Sequence, residues 1–104
     1  MELCPKFEEA FRLLGKRWVG IIIRVLEAGP MRFNEMAEQV PEISKKMLTE
    51  RLKDLEEQGM VKREVVPETP VRITYRLTDK GEAITPALAE VQKWADEWVE
   101  KTGC

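Results

Sequence analysis

Histidine is absent from this 104-residue chain. That absence removes the commonest general base, the Ser-His and Cys-His nucleophile pairs, and the commonest protein ligand for metal ions. The six glycines stand singly, so the chain has no glycine-rich phosphate loop either. We therefore expect no enzymatic activity, no cofactor and no metal site.

Cysteine is scarce, and its two copies, Cys4 and Cys104, lie almost at the two ends of the chain. A disulfide framework or a zinc site needs clustered cysteines, so this spacing resembles neither. Long apolar runs are also missing: the longest, "VGIII" at 19–23, is far too short to span a bilayer. The first residues, "MELCPKFEEAF", carry acids early and lack the hydrophobic core of a signal peptide. We expect no membrane partner and a cytoplasmic location.

What the chain does contain suits one folded domain over residues 1–104, with 43% apolar and 35% charged residues. The net charge is −2, but its distribution is uneven. Residues 45–53 hold four bases and one acid, residues 62–76 hold four bases and two acids, and residues 79–104 hold three bases and six acids. Anion binding depends on the local field of one face, so an acidic chain can present a basic surface. The alternative is that these charges merely solvate two exposed faces.

Apolar residues at a helical period predict four helices in the first 59 residues. The first spans Pro5 to Leu14, and the second covers "KRWVGIIIRVLEAGP" up to Gly29-Pro30. The third lies in "MRFNEMAEQVP", where Asn34 is the predicted N-cap. The fourth, in "ISKKMLTERLKDLEEQGMV", carries an apolar stripe, has Ser44 as its predicted N-cap and stops at Gly59; the stripe consists of Leu48, Leu52 and Leu55.

After Gly59 the apolar period changes from 3.6 to 2. The runs "MVKREVV" and "VRITYRL" alternate apolar and polar residues, and "PETP" between them predicts the turn of a β-hairpin. The helical period then returns, and Pro86 is predicted to kink or restart the last helix. The sequence thus predicts a mainly helical α+β fold, a winged helix-turn-helix. The helix-turn-helix covers about 31–58, the two-stranded wing about 60–77 and the C-terminal helix about 79–101.

The fourth helix has a basic first half and an acidic second half. Positive charge at its front adds to the positive end of the helix dipole, and both attract phosphate. On a helical wheel, four side chains lie opposite the leucine stripe and are predicted to face a DNA major groove; they are Lys46, Thr49, Glu50 and Lys53.

Several motifs resemble the HxlR family of winged helix-turn-helix regulators, which are relatives of the MarR family. They are "CP", "GKRW", "GPMRFNEM", the long block "ISKKMLTERLKDLEEQGMVKREVVPETPVRITYRLTDKG" and a late tryptophan. "LLGKRW" departs from the more familiar pattern of two glycines before the lysine. The resemblance implies a homodimeric bacterial or archaeal regulator of a pseudo-palindromic operator. It further implies that residues 44–53 form the recognition helix and that the hairpin around 67–72 is the wing.

Together, the charge pattern and the resemblance nominate a set of DNA-binding residues. For Arg51, which lies nearer the apolar stripe, a phosphate contact and an ion pair within the domain both stay open. Arg72 at the wing tip is a candidate phosphate or minor-groove contact, and Arg63 and Arg76 are weaker candidates of the same kind. The full set is Ser44, Lys45, Lys46, Thr49, Glu50, Arg51, Lys53 and Arg72.

The last helix has a wider apolar face than one core seam requires. A single small domain could bury it, but such breadth usually marks an association surface. We predict a homodimer built from this helix and the first one. The predicted interface residues on the last helix are Leu88, Val91, Trp94 and Trp98.

Cys4 is the candidate redox-sensing residue, and an oxidant or small electrophile is the candidate signal. In family members that sense such compounds, the reactive cysteine directly precedes an N-terminal proline, and Cys4 matches that position. A helix beginning at Pro5 would favour the thiolate through its dipole, with help from Lys6. Cys104 is a candidate resolving thiol. The alternative is a thiol without a signalling role.

A winged-helix module that binds another protein, without DNA binding, is the main rival to a DNA-binding regulator. A module of that kind has no need to concentrate bases at one helix front and on the wing, so the charge pattern favours double-stranded DNA as the partner.

Overall fold

A computed structural model describes residues 2–101 of the chain. A helix–turn–helix unit is followed directly by two antiparallel strands, which makes the domain a mainly helical winged helix-turn-helix. The predicted fold class is confirmed. The elements are α1 (Pro5–Leu14), α2 (Val19–Leu26), α3 (Phe33–Gln39), α4 (Lys45–Glu57), β1 (Val61–Val66), β2 (Arg72–Leu77), α5 (Asp79–Ala83) and α6 (Thr85–Trp98).

The hydrophobic core lies between α2, α3, α4 and the base of the wing. The predicted leucine stripe of α4 is fully buried there, in one cluster with the apolar side chains of α2. No charged or polar side chain among residues 2–101 is buried with it. The core residues are Val19, Ile22, Ile23, Leu26, Met36, Val40, Ile43, Leu48, Leu52, Leu55, Met60, Val61 and Leu77.

The predicted start of the second helix was wrong, because α2 begins at Val19 and not at Lys16. Trp18 has a left-handed backbone, with φ of 79°, which interrupts helical geometry between α1 and α2. Residues 15–18 therefore form a tight connection between two helices.

The predicted cap of α3 was also wrong. Arg32 precedes the helix, and Asn34 lies inside its first turn. The reason is a tertiary contact: Met31 forms an isolated antiparallel bridge with Tyr75 of β2, which keeps the chain extended up to Arg32. The Glu35 carboxylate then accepts a hydrogen bond from the Arg32 backbone N–H at 2.9 Å.

The wing pairs β1 with β2 in a register that runs from Val61 opposite Leu77 to Val66 opposite Arg72. Directly opposed residues share a face of the sheet, so the buried Val61–Leu77 pair joins the base of the wing to the core. Beyond the wing, Pro86 stands in the first turn of α6, so the last helix restarts there after α5.

The two terminal helices contribute little to the core. Neither α1 (5–14) nor α6 (85–98) has a buried residue. The radius of gyration is 15.1 Å, whereas a compact domain of this length is expected to have about 13 Å. The monomer is accordingly elongated, with extents of 55 × 36 × 23 Å, and two helices leave apolar faces exposed.

Candidate nucleic-acid interface

Ser44 is the N-cap of α4, as the sequence predicts. Its backbone is extended, and its Oγ accepts a hydrogen bond from the Met47 backbone N–H at 3.0 Å. This bond satisfies one of the free donors of the first turn and leaves the others at the open end of the helix. Among residues 2–101, the backbone N–H groups of Lys45 and Lys46 at the front of α4 have no hydrogen-bond partner.

The candidate groove-facing residues of α4 are all exposed, which agrees with the helical wheel. Among residues 2–101, no ion pair engages the ammonium groups of Lys45, Lys46 or Lys53. The Thr49 hydroxyl donates to the Lys45 carbonyl at 2.9 Å, so it keeps its acceptor lone pairs for an outside donor. The exposed set is Ser44, Lys45, Lys46, Thr49, Glu50 and Lys53.

Arg51 differs from the other bases of α4, because its guanidinium is bound within the domain. Its Nε donates to the Arg17 carbonyl at 3.0 Å, and its Nη1 donates to the Asp54 carboxylate at 3.0 Å. The side chain is only 18% exposed. Of the two interpretations that the sequence leaves open, this geometry matches the ion pair with an acid of the domain.

The bases of the wing are partly paired with acids. Arg72 opens β2, and its Nη2 lies 3.4 Å from Glu68 across the turn. Both side chains are about half exposed, a setting in which an ion pair contributes roughly 0–1 kcal/mol. Arg76 is bonded to Glu64 and donates to the Leu77 carbonyl, so its charge is neutralised locally. Arg63 is exposed on β1.

The candidate DNA-binding set derived from the sequence does not include two exposed bases. They are Arg32 before α3 and Lys62 on β1. Lys62 lies on the same face of the wing as Arg72 and Arg76, which the alternation of the strand could have indicated. Arg32 stands alone in "GPMRF", and its place beside the wing depends on the Met31–Tyr75 bridge. It lines a groove of mixed charge between α3 and the wing, together with Arg72, Glu35, Glu38 and Glu64.

The candidate interface residues of α6 are exposed. Trp94 and Trp98 are 60% and 66% exposed, Val91 is exposed as well, and Leu88 is half-buried against the core. The first helix repeats this pattern, because Phe7 and Phe11 are exposed and contact each other as a tilted pair with ring centroids 4.9 Å apart. Large apolar side chains of two helices therefore face solvent in the monomer.

Cys4 is an exposed free thiol at the N-cap position of α1. Its carbonyl accepts a hydrogen bond from the Glu8 backbone N–H at 3.1 Å, and Pro5 is the first helical residue. The thiol thus lies at the positive end of the helix dipole. Cys104 lies outside the described residues.

Two kinds of site are absent from residues 2–101. No three His, Cys, Asp or Glu side chains of this range are grouped to hold a metal ion. Within the same range, every helix is too short or too polar to span a lipid bilayer.

Comparison with protein-family models matches residues 13–103 to the HxlR-like helix-turn-helix family. Two regulators of Bacillus subtilis (strain 168) are similar over most of the chain. The HTH-type transcriptional regulator YodB is 56% identical over 98 residues, which cover 94% of this chain and 88% of YodB. The HTH-type transcriptional regulator YvaP is 54% identical over 99 residues, which cover 95% of this chain and 92% of YvaP.

Solved structures of similar regulators share the fold. The reduced form of YodB has a TM-score of 0.86 at 56% identity and covers 95% of this chain and 97% of its own. The quinone-bound form of YodB has a TM-score of 0.80 at 53% identity, with coverages of 91% and 100%. The oxidised form of the redox regulator HypR has a TM-score of 0.86 at 33% identity, with coverages of 94% and 100%. These relatives are regulators and not enzymes, in agreement with the expectation from the sequence.

Proposed function

Because the chain belongs to the HxlR-like helix-turn-helix family of transcriptional regulators, we propose that it is a homodimeric regulator that binds operator DNA and responds to oxidants or electrophiles through Cys4. The observation that carries the proposal is the front of α4. It combines an open helix N-terminus with three exposed lysines that have no acid partner among residues 2–101.

In this proposal α4 enters the major groove with its front end first. Lys45 and Lys46 lie beside the free N–H groups of the first turn and contact phosphates, as does the backbone at Ser44. Further along the same face, Thr49, Glu50 and Lys53 approach base edges. A carboxylate can accept a hydrogen bond from the cytosine amino group, and a lysine can donate to guanine. Glu50 would then be a specificity residue inside a basic surface.

The wing supports α4 from the side. Arg72 exchanges its weak ion pair with Glu68 for a phosphate or for the minor groove, whose negative potential favours arginine. This exchange is inexpensive because the pair is about half exposed. The guanidinium groups of Arg51 and Arg76 are paired with acids of the domain. In this proposal they stabilise the DNA-binding surface and do not contact DNA themselves.

The second copy of the chain covers the exposed apolar faces of α1 and α6. Trp94 and Trp98 are large aromatic side chains of the kind that anchors interfaces. Two-fold symmetry of such a dimer places two recognition helices about one DNA turn apart, roughly 34–36 Å. A pseudo-palindromic operator matches that symmetry.

The proposed signal follows from the relatives and from Cys4. Structures of YodB have been solved in reduced, diamide-treated and quinone-bound forms, and HypR is named a redox regulator. In this chain Cys4 is exposed and directly precedes α1, so its oxidation or alkylation would change the surface on which the proposed dimer is built.

A titration of duplex DNA at several salt concentrations tests the proposal against the protein-binding rival. The duplex is the region upstream of the protein's own coding sequence, and fluorescence anisotropy reports binding. DNA binding through lysines predicts that affinity falls steeply with salt, by a slope of about 0.9 per phosphate contact in a log–log plot. The protein-binding module would instead be supported if the protein has no affinity for this duplex and enriches no duplex from a random library.

A further inference from the structure

The α1–α2 connection is bound to one turn of α4 through polar contacts. The Nε of Arg51 donates to the backbone carbonyl of Arg17 at 3.0 Å, across 34 residues of sequence. The Nη1 of the same guanidinium donates to Asp54 at 3.0 Å, and the Nζ of Lys16 lies 3.3 Å from the same carboxylate oxygen. We call this group of four residues the linker anchor: Lys16, Arg17, Arg51 and Asp54.

The linker anchor is partly shielded from water. The side chains of Arg51 and Asp54 are 18% and 23% exposed, whereas that of Lys16 is 44% exposed. Exposed ion pairs hold side chains weakly, but charge-assisted hydrogen bonds of a half-buried guanidinium are stronger and depend on direction. The anchor therefore fixes the geometry of its two partners better than the exposed pairs elsewhere in the chain.

The connection that carries the anchor is itself rigid. The Lys16 N–H donates to the Leu13 carbonyl at 3.1 Å, so the chain leaves α1 through a tight turn that spans three residues. Trp18 follows in a left-handed conformation, and the Arg17 guanidinium lies 4.5 Å from the centre of its ring. A bulky residue keeps such a backbone only where surrounding contacts impose it. The Arg17 carbonyl is thus presented to Arg51 in a fixed place.

The apolar contacts of α4 leave its exact position less constrained. Leu48, Leu52 and Leu55 hold the helix against the core, but apolar attraction has no direction. A small slide or rotation of the helix keeps these leucines buried, whereas it breaks hydrogen bonds that weaken steeply with angle. Arg51 and Asp54 therefore set where the exposed side chains of the same helix stand relative to α1 and α2.

We propose that Lys16, Arg51 and Asp54 are positioning residues for the DNA-reading face of α4, which they align by binding the α1–α2 connection. The inference depends on the proposed function, because it assigns a role within DNA binding. These positioning residues contact no DNA themselves. One of them, Lys16, lies on the α1–α2 connection and outside the helix-turn-helix.

Two single variants with opposite changes in charge test the proposal. Asp54→Asn removes a negative charge from α4, so an electrostatic effect alone predicts tighter binding to any duplex. Lys16→Met removes a positive charge, so a direct phosphate contact predicts weaker binding to any duplex. A positioning role predicts instead that both variants lose affinity for a specific duplex and keep their affinity for an unrelated one.

The probes are a duplex that the wild-type protein enriches from a random library and a shuffled duplex of the same composition. We expect each variant to bind the enriched duplex about five- to a hundredfold more weakly, which is the cost of one misplaced base contact. Glu27→Gln, which breaks the exposed Arg24–Glu27 pair of α2, is the matched control and is expected to match wild type.

The outcomes separate the two proposals. If the wild-type protein enriches no duplex, the proposed function itself fails. If wild type enriches a duplex and Asp54→Asn binds it as tightly as wild type or more tightly, the positioning role is refuted. Equal loss on both duplexes in Lys16→Met refutes it as well, since it indicates a direct phosphate contact. Far-UV circular dichroism at the titration temperature verifies that both variants are folded. The double variant should lose less affinity for the enriched duplex than the two single losses add up to, because both changes break the same anchor.

Discussion

At the scale of single residues, the bases of the proposed DNA-binding surface fall into two groups according to their partners. Lys45, Lys46 and Lys53 have no acid partner among residues 2–101, whereas Arg51 and Arg76 are bonded to acids of the domain. A free lysine can release a counterion when it meets a phosphate, but an arginine held by a carboxylate must first give up that bond. The lysines are therefore the residues whose loss should be seen in DNA binding.

We expect Lys46→Ala and Lys53→Ala to weaken operator binding. Each should lower the slope of log affinity against log salt by about one for every phosphate that the replaced lysine binds in wild type. The free energy of unfolding should change by less than about 0.5 kcal/mol, because both side chains are exposed. Anisotropy titrations and urea denaturation measure the two quantities.

Lys101→Ala, which replaces an exposed lysine beyond α6, is the control and should leave both quantities unchanged. Wild-type affinity in both α4 variants would show that this face does not bind DNA.

Ser44 allows capping and DNA contact to be separated at one position. Ser44→Ala removes the acceptor for the Met47 N–H and should cost about 1 kcal/mol of stability, which lowers Tm by about 4–8 °C. Ser44→Asp keeps a capping oxygen but adds a negative charge at the proposed phosphate contact. It should therefore retain the thermal stability of wild type and lose operator affinity. Tight DNA binding by Ser44→Asp would place the phosphate elsewhere.

At the scale of elements, the rear of α4 is joined to the start of α5 by side-chain hydrogen bonds to backbone carbonyls. Gly59 ends the helix with φ of 70°, and its carbonyl accepts a hydrogen bond from the Thr78 hydroxyl at 2.5 Å. Lys80 donates to the Gln58 carbonyl at 2.5 Å, where a cation also suits the negative end of the dipole. The helix is thus bound at its rear to the segment that leads into α6, as it is bound in its middle to the segment that follows α1.

Gly81 makes this junction compact, and its replacement should disrupt it. A Cβ at this position would overlap the Met60 carbonyl oxygen, which is backbone and cannot move aside like a side chain. We expect Gly81→Ala to destabilise the protein by about 1–3 kcal/mol in urea denaturation. Gly20→Ala on α2 is the matched control, because its Cβ meets nothing within 4 Å, and it should be neutral or stabilising by up to about 1 kcal/mol. Equal effects of the two changes would contradict the close contact at Gly81.

Features of the elements that depend only on residues close together in the sequence could be predicted from the sequence. The leucine stripe, the Ser44 cap, the change of period after Gly59 and the restart at Pro86 are local signals, and the structure contains each of them. The start of α2 and the cap of α3 could not be predicted, since a left-handed Trp18 and the Met31–Tyr75 bridge impose them.

The same division applies to the candidate site. The exposed face of α4 follows from its period, so the lysines could be identified from the sequence. The partners of Arg51 could not, because Arg17 lies 34 residues away and meets it only after α1, α2 and α4 have packed. Which bases are free and which are held is therefore decided by tertiary structure.

At the scale of the whole molecule, the elongated monomer leaves apolar faces on α1 and α6 uncovered. The proposed dimer predicts that Trp98→Ala promotes dissociation, because the change removes a large exposed anchor from α6. Operator binding should then weaken indirectly, since the two half-site readers separate. Sedimentation velocity at micromolar concentration measures the association.

The control for that experiment is Val71→Ala, which trims an exposed apolar residue of the wing and should leave the association unchanged. A wild-type protein that sediments as a monomer at micromolar concentration would contradict the proposed dimer. Unchanged association in Trp98→Ala would move the interface away from the end of α6.

The proposed sensor also belongs to the whole molecule, because Cys4 can act on DNA binding only through the arrangement of two subunits. Its thiol is exposed at the start of α1, where a reagent in solution can reach it. A quinone alkylates one thiolate by addition to its ring, whereas diamide takes two electrons from a pair of thiols and joins them in a disulfide. We therefore expect both reagents to change the operator affinity of wild type in anisotropy titrations and neither to change that of Cys4→Ser.

Cys104→Ser separates the two chemistries: if Cys104 is the resolving thiol, this variant should lose the response to diamide and keep the response to the quinone. An identical response of wild type and Cys4→Ser to both reagents would exclude Cys4 as the sensor and leave a DNA-binding regulator that responds to another signal.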